Sequence, residues 1–109
     1  MTFEELLNWV ALEDRRLQER FGYIDLDKRI LARTVKISEE LGELCDEVLS
    51  FNALQRQEKL DGNKTGNLSA EFADVLITTL LLARSMEIDI PKALRDKMAK
   101  VDKRYEVAQ

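Results

Sequence analysis

Residues 68–86 read LSAEFADVLITTLLLARSM, and the fold turns on this stretch. It reads as a helix from about Leu68 to Met86. In its second half the apolar residues Val75, Leu76, Ile77, Leu80, Leu81 and Leu82 fall on nearly every side, the pattern of a helix buried all round. The apolar run from Val75 to Ala83 is interrupted by Thr78 and Thr79 and falls well short of the roughly 20 residues that span a bilayer. The segment is therefore expected at the centre of a soluble bundle, with no membrane partner.

Working outward, DGNKTGN at residues 61–67 holds two of the chain's four glycines among turn-forming Asp and Asn and is the clearest loop. On the other side, Ile90 and Pro91 open a further helix, where proline loses no hydrogen bond. That helix runs towards Tyr105 with Ala93, Leu94, Met98 and Val101 facing inwards. Upstream, Thr2 and Glu5 form a capping box for a first helix that ends near Gly22 and carries Leu6, Leu7, Val10 and Leu17. Another helix begins after Asp25 or Asp27 and runs to about Phe51 or further, with Ile30, Leu31, Ile37, Leu41, Leu44, Val48 and Leu49 on its apolar side.

Composition agrees with an all-α fold, since one proline and four glycines stand among abundant Leu, Ala, Glu, Lys and Arg. A chain of 109 residues has a large surface share, and a central helix that is apolar all round is most simply covered by a second subunit. The expectation is one domain over residues 1–109, a four-helix bundle completed by homo-oligomerisation as a homodimer or dimer of dimers. The net charge of -4 offers no field for a polyanion, so nucleic acid is not an expected partner. The single cysteine, Cys45, cannot form an internal disulfide, and no signal-peptide pattern is seen near the N-terminus, which fits a reducing cytoplasm.

Histidine is absent. That removes the commonest general base and the usual zinc and di-iron ligand, and it sets aside a ferritin-like di-iron site, whose Glu-x-x-His motif cannot exist here. Carboxylates remain. Glu40 and Glu43 are three apart on the second helix and Glu71 and Asp74 three apart on the third, so each pair projects from one helical face and can chelate. Alone, the first pair reads as a solvated acidic face and the second as acids drawn to a helix start. Together they suggest a cation. The apolar setting of Glu71 and Asp74, between Ala70, Phe72, Ala73 and Val75, makes buried charge costly unless a cation compensates it. Oxygen ligands without nitrogen or sulfur suit Mg²⁺, with Mn²⁺ as the alternative.

EELGE at residues 39–43, followed by EFADV at 71–75, resembles the MazG-type all-α nucleotide pyrophosphohydrolases, whose signature is E-x-x-E, a variable gap, then E-x-x-D. The resemblance continues through IDIPKAL and KMAKVDKRY, covering roughly residues 28 to 105. It implies that Glu40, Glu43, Glu71 and Asp74 are metal ligands and that Glu39 activates water. It also implies hydrolysis of a nucleoside triphosphate between the α and β phosphates, and a house-cleaning role against non-standard nucleotides. Lys97 and Arg104 match the cations of the family's K-x-x-x-N-x-x-R pattern and, with Lys36 one turn before Glu40, are the expected substrate contacts. Val101 stands where that pattern has asparagine.

The aromatic residues Phe3, Trp9, Phe21 and Tyr23 read as core or interface, and none is assigned to base recognition. For Glu43 to face Glu71 within one subunit the chain must reverse near Arg56, which predicts a helix break between Ser50 and Ala53 or else a site shared across a dimer. The rival to an enzyme is a helical oligomerisation or regulatory module that keeps the fold without turnover.

Overall fold

The computed structural model describes residues 1–22, 25–55 and 67–106, which form helices α1 (Phe3–Phe21), α2 (Leu26–Gln55), α3 (Leu68–Ser85) and α4 (Ile90–Lys103) with no strand among them. Local chemistry sets the helix starts. The Thr2 hydroxyl accepts from the Glu5 amide at 3.0 Å while the Glu5 carboxylate accepts from the Thr2 amide at 3.4 Å, completing the expected capping box. Asp25 caps α2 by accepting from the Lys28 amide at 2.9 Å, and Asp89 caps α4 by accepting from the Lys92 amide at 3.0 Å. α3 ends at Ser85, and Glu87 beyond it, with a φ of 55° in the left-handed region, turns the chain towards α4.

The main packing is the antiparallel pairing of α2 with α3, and α1 lies against α3 to a lesser extent. The stripe of α2 turned towards this core is Ile30, Arg33, Ile37, Glu40, Leu44 and Glu47, alternating apolar and charged residues at three- and four-residue steps. Arg33 sets the register. Its Nη1 donates to the Leu81 carbonyl at 3.1 Å and to the Ser85 hydroxyl at 2.6 Å. Ten residues further along α2 lies Glu43, and ten residues back along α3 lies Glu71. Both intervals span about 15 Å, so the pairing that seats Arg33 also sets the two glutamates opposite one another.

The expected break between Ser50 and Ala53 is corrected, because α2 continues through Gln55. Residues 56–66, including Arg56 and the predicted 61–67 loop as far as Gly66, lie outside the described residues. A chain of twelve residues between Gln55 and Leu68 can reach about 40 Å, ample to absorb the unequal helix lengths on either side.

α1 is anchored by charge. Asp14, 8 % exposed, stands on the same face as buried Val10 and forms ion pairs with Arg33 at 2.7 Å and Arg84 at 3.1 Å. Gln18 Nε2 also donates to it at 3.0 Å. One carboxylate thus joins α1, α2 and α3.

One expectation about the core is also corrected: α4 has no buried residue, and Leu94 and Met98, expected to face inwards, are open to solvent. Within one copy α3 is not covered all round, Phe72 and Leu76 being more than half exposed. The radius of gyration is 18.1 Å, against about 13 Å for a compact chain of this length. Among the described residues these apolar faces are left open. No described helix is long and apolar enough to cross a membrane.

Removing the anchor should be costly. Asp14→Ala leaves Arg33 without its buried counter-charge and should destabilise the protein by about 3 kcal/mol in urea unfolding. Burial pushes the Asp14 carboxyl up, but its contacts with Arg33 and Arg84 outweigh that and hold it below its ordinary 3.8. Its contribution is accordingly complete above the unfolded value and lost as pH falls through the depressed one, so acid unfolding curves of wild type and variant should converge only at low pH.

Candidate functional site

Glu40, Glu43 and Glu71 meet in one copy of the chain. Each offers a carboxylate oxygen, and these oxygens all lie within 4.8 Å of one another. α2 supplies the first two from adjacent turns and α3 the third, through the register that Arg33 fixes. Glu40 is buried at 7 % exposure, Glu71 is half-buried and Glu43 is exposed.

The expected asymmetry is reversed. Asp74, predicted to be buried with Glu71, is exposed and lies outside the three-oxygen group, although it lines a cavity beside Glu40. The apolar residues flanking Asp74 along the chain belong to other faces of α3 and do not enclose it. Glu40, which sequence alone would place on a solvated face, is the buried member because it falls on the inner stripe with Ile37 and Leu44.

The electrostatics are those of an acidic site short of positive charge. The Glu40 charge, then loss of solvation, raise the Glu43 carboxyl above its ordinary value. Loss of solvation, followed by the charges of Glu43, Asp74, Glu40 and Glu47, raises Glu71. Lys36 offers partial relief, its Nζ lying 3.2 Å from Glu40 Oε1 and 3.5 Å from Glu39 Oε2, and these contacts raise its own pKa. Glu40 Oε2 and Glu71 Oε2 remain buried with no hydrogen-bond partner among the described residues. Two orphaned carboxylate oxygens in an all-oxygen cluster fit a hard divalent cation.

Residues 28–108 match the family model of the MazG nucleotide pyrophosphohydrolase domain. The chain belongs to the MazG family. No curated protein matches the chain. No solved structure matches it either. α1 lies before the matched region, whereas the carboxylate cluster lies wholly within it.

The remaining expected site residues of this MazG chain are placed unevenly. Glu39 is exposed beside Lys36 at the edge of the cluster. Lys97 and Arg104 are exposed on and just after α4, form no ion pair among the described residues and line neither the cavity beside Glu40 nor the hollow near Leu26, and α4 has no extensive packing against α2 or α3 that would bring them to the carboxylates in one copy. Sequence reasoning missed Asp14, Gln18, Arg29 and Arg33, which organise the neighbouring cavity. A signal was present for Asp14 and Arg33, each a charge in step with apolar residues on an inward stripe.

A divalent cation should relieve the repulsion. Magnesium should raise the melting temperature relative to chelator. Glu71→Gln should melt higher than wild type in chelator and lose most of the magnesium-dependent gain in a differential scanning measurement.

Proposed function

We propose that this MazG-family chain is a Mg²⁺-dependent nucleotide pyrophosphohydrolase that converts a nucleoside triphosphate to the monophosphate and pyrophosphate, with Mn²⁺ able to substitute. The observation that carries the reading is the Glu40, Glu43 and Glu71 cluster with its two unpartnered buried oxygens, lying inside the family match. These three residues hold the cation, and Asp74 joins them from the next turn of α3. When bound, magnesium draws charge from the phosphate oxygens and lowers the pKa of an attacking water.

The residues of the chain perform the remaining work. Glu39, exposed next to the cluster, accepts the proton as water attacks the α phosphorus and the bond to the β phosphate breaks. Lys36 balances Glu40 and Glu39 and then faces the phosphates. No covalent intermediate is needed, so the absence of histidine from the chain is no obstacle. Removal of non-standard nucleotides in a reducing cytoplasm suits a small hydrolase with one exposed free thiol, Cys45.

Self-association belongs to the same proposal. Leu31 and Val35 on α2 and Phe72 and Leu76 on α3 leave an apolar surface that a second copy covers, as a homodimer or a dimer of dimers. The unpacked α4 is then free to bring Lys97 and Arg104 to the phosphates from a neighbouring subunit.

Turnover is checked by magnesium-dependent release of pyrophosphate from a nucleotide panel. Glu43→Gln and Asp74→Asn should each lower it on the order of a hundredfold or more. Absence of turnover together with absence of magnesium-dependent stabilisation would instead favour a non-catalytic oligomerisation module, a reading supported by Val101 at the position of the family asparagine. Sedimentation should show a dimer or tetramer in the wild type, and Leu31→Glu combined with Leu76→Glu should give monomers.

A further inference from the structure

A cavity of about 540 Å³ opens directly beside the carboxylate cluster, bounded by α1, α2 and α3. Its volume is in the range of small-molecule sites. Glu40 belongs to both features, lining the cavity and contributing to the three-oxygen group. The walls differ in character from the cluster. Leu17 and Phe21 of α1, Ala32 of α2, and Ile77 and Leu81 of α3 make them largely apolar, a slot suited to a flat ring rather than to phosphate.

Three cations line the cavity, and two of them are already engaged. Arg33 is held by Asp14, the Leu81 carbonyl and Ser85, and Lys36 by Glu40 and Glu39. Arg29 is different. Its Nη1 donates to Gln18 Oε1 at 3.3 Å, a long contact, while its Nε is buried without a partner among the described residues. Arg29 is only half-buried, but a buried N–H such as its Nε is costly to leave unpaired unless a ligand supplies an acceptor. Arg29 also borders a second hollow near Leu26, so its side chain has room to settle towards either side.

We infer that this cavity receives the base of the substrate nucleotide, with Arg29 as a specificity residue that donates to a ring carbonyl. The inference rests on the nucleotide-hydrolase reading, and it assigns substrate selection to α1 and the start of α2. Gln18 fixes the guanidinium, and Glu40 marks the end of the cavity at which the phosphates meet the carboxylates. Where guanine and uracil present a carbonyl oxygen adenine presents an amino group, a second donor set against Arg29, so adenine nucleotides are the disfavoured substrates. A guanidinium donor facing that amino group should lower kcat/KM for ATP by about tenfold relative to GTP or UTP.

The test compares kcat/KM for GTP, UTP, ATP and base-free ribose 5-triphosphate in wild type and Arg29→Ala, with folding checked by circular dichroism. The expected result is that Arg29→Ala reduces the GTP-to-ATP and GTP-to-ribose-triphosphate ratios about tenfold through KM. Unchanged ratios would overturn the inference, as would a wild type that turns over ATP as well as GTP. Ala32→Trp, which fills the cavity from an exposed helix position, should reduce nucleotide turnover more than ribose triphosphate turnover, and an equal reduction counts against the assignment.

A second measurement is independent of catalysis. In protein labelled at arginine nitrogen and kept free of metal, millimolar guanosine should shift the Arg29 Nε resonance and adenosine should not. An Arg29 signal unmoved by guanosine overturns the base site. A shift without pyrophosphate release from any nucleotide sustains the base site and refutes the hydrolase reading, so the two failures are distinguishable.

Discussion

The antiparallel register of α2 on α3 is the constraint on which the rest depends, and Arg33 holds it. A guanidinium that reaches across to a backbone carbonyl and a buried hydroxyl permits little sliding between two helices, whereas aliphatic side chains alone tolerate several nearby registers. With that pairing fixed, glutamates almost thirty residues apart in sequence become neighbours. The acidic cluster is therefore a consequence of packing a turn or more away from it. Its mutual repulsion opposes the fold locally, a common condition where side chains are arranged for a ligand rather than for stability alone.

Charge on the inner stripe of α2 explains how such a small chain combines a core with a site. Ile30, Ile37 and Leu44 supply the apolar contact, while Arg33, Glu40 and Glu47 occupy the alternate positions of the same face. Each charged residue has a different assignment. Arg33 locks register and anchors α1 through Asp14, Glu40 joins the cluster to the cavity, and Glu47 adds to the negative field around Glu71. Burial of a charge without a partner is expensive, so the ones with unmet oxygens are informative in a way that surface glutamates are not.

The four helices, the capping box at Thr2 and the start of α4 at Ile90 and Pro91 were legible from residue pattern alone, because capping and helical spacing are local. Which acid is buried was not. Sequence neighbours suggested Asp74, but burial on a helix depends on residues three and four away and on the partner helix, and by that measure Glu40 is the enclosed one. The cavity was also hidden, since Gln18, Arg29 and Thr78 come from three separate helices and share no motif. The continuity of α2 from Ser50 to Ala53 was misjudged for a related reason: nothing local distinguishes a helix that breaks there from one that continues to Gln55 when the connection after it is long enough to compensate.

The anchoring of α1 through Asp14 has a consequence for how this helix tolerates change. An apolar contact is indifferent to rotation by a few tens of degrees, but a carboxylate gripped by Arg33 from α2 and Arg84 from α3 accepts a single orientation and height. α1 is thus keyed rather than merely adherent. Most of its outward residues are free to diverge without shifting Leu17, Gln18 or Phe21, so the cavity wall they form can be re-tailored one side chain at a time while its frame stays in place.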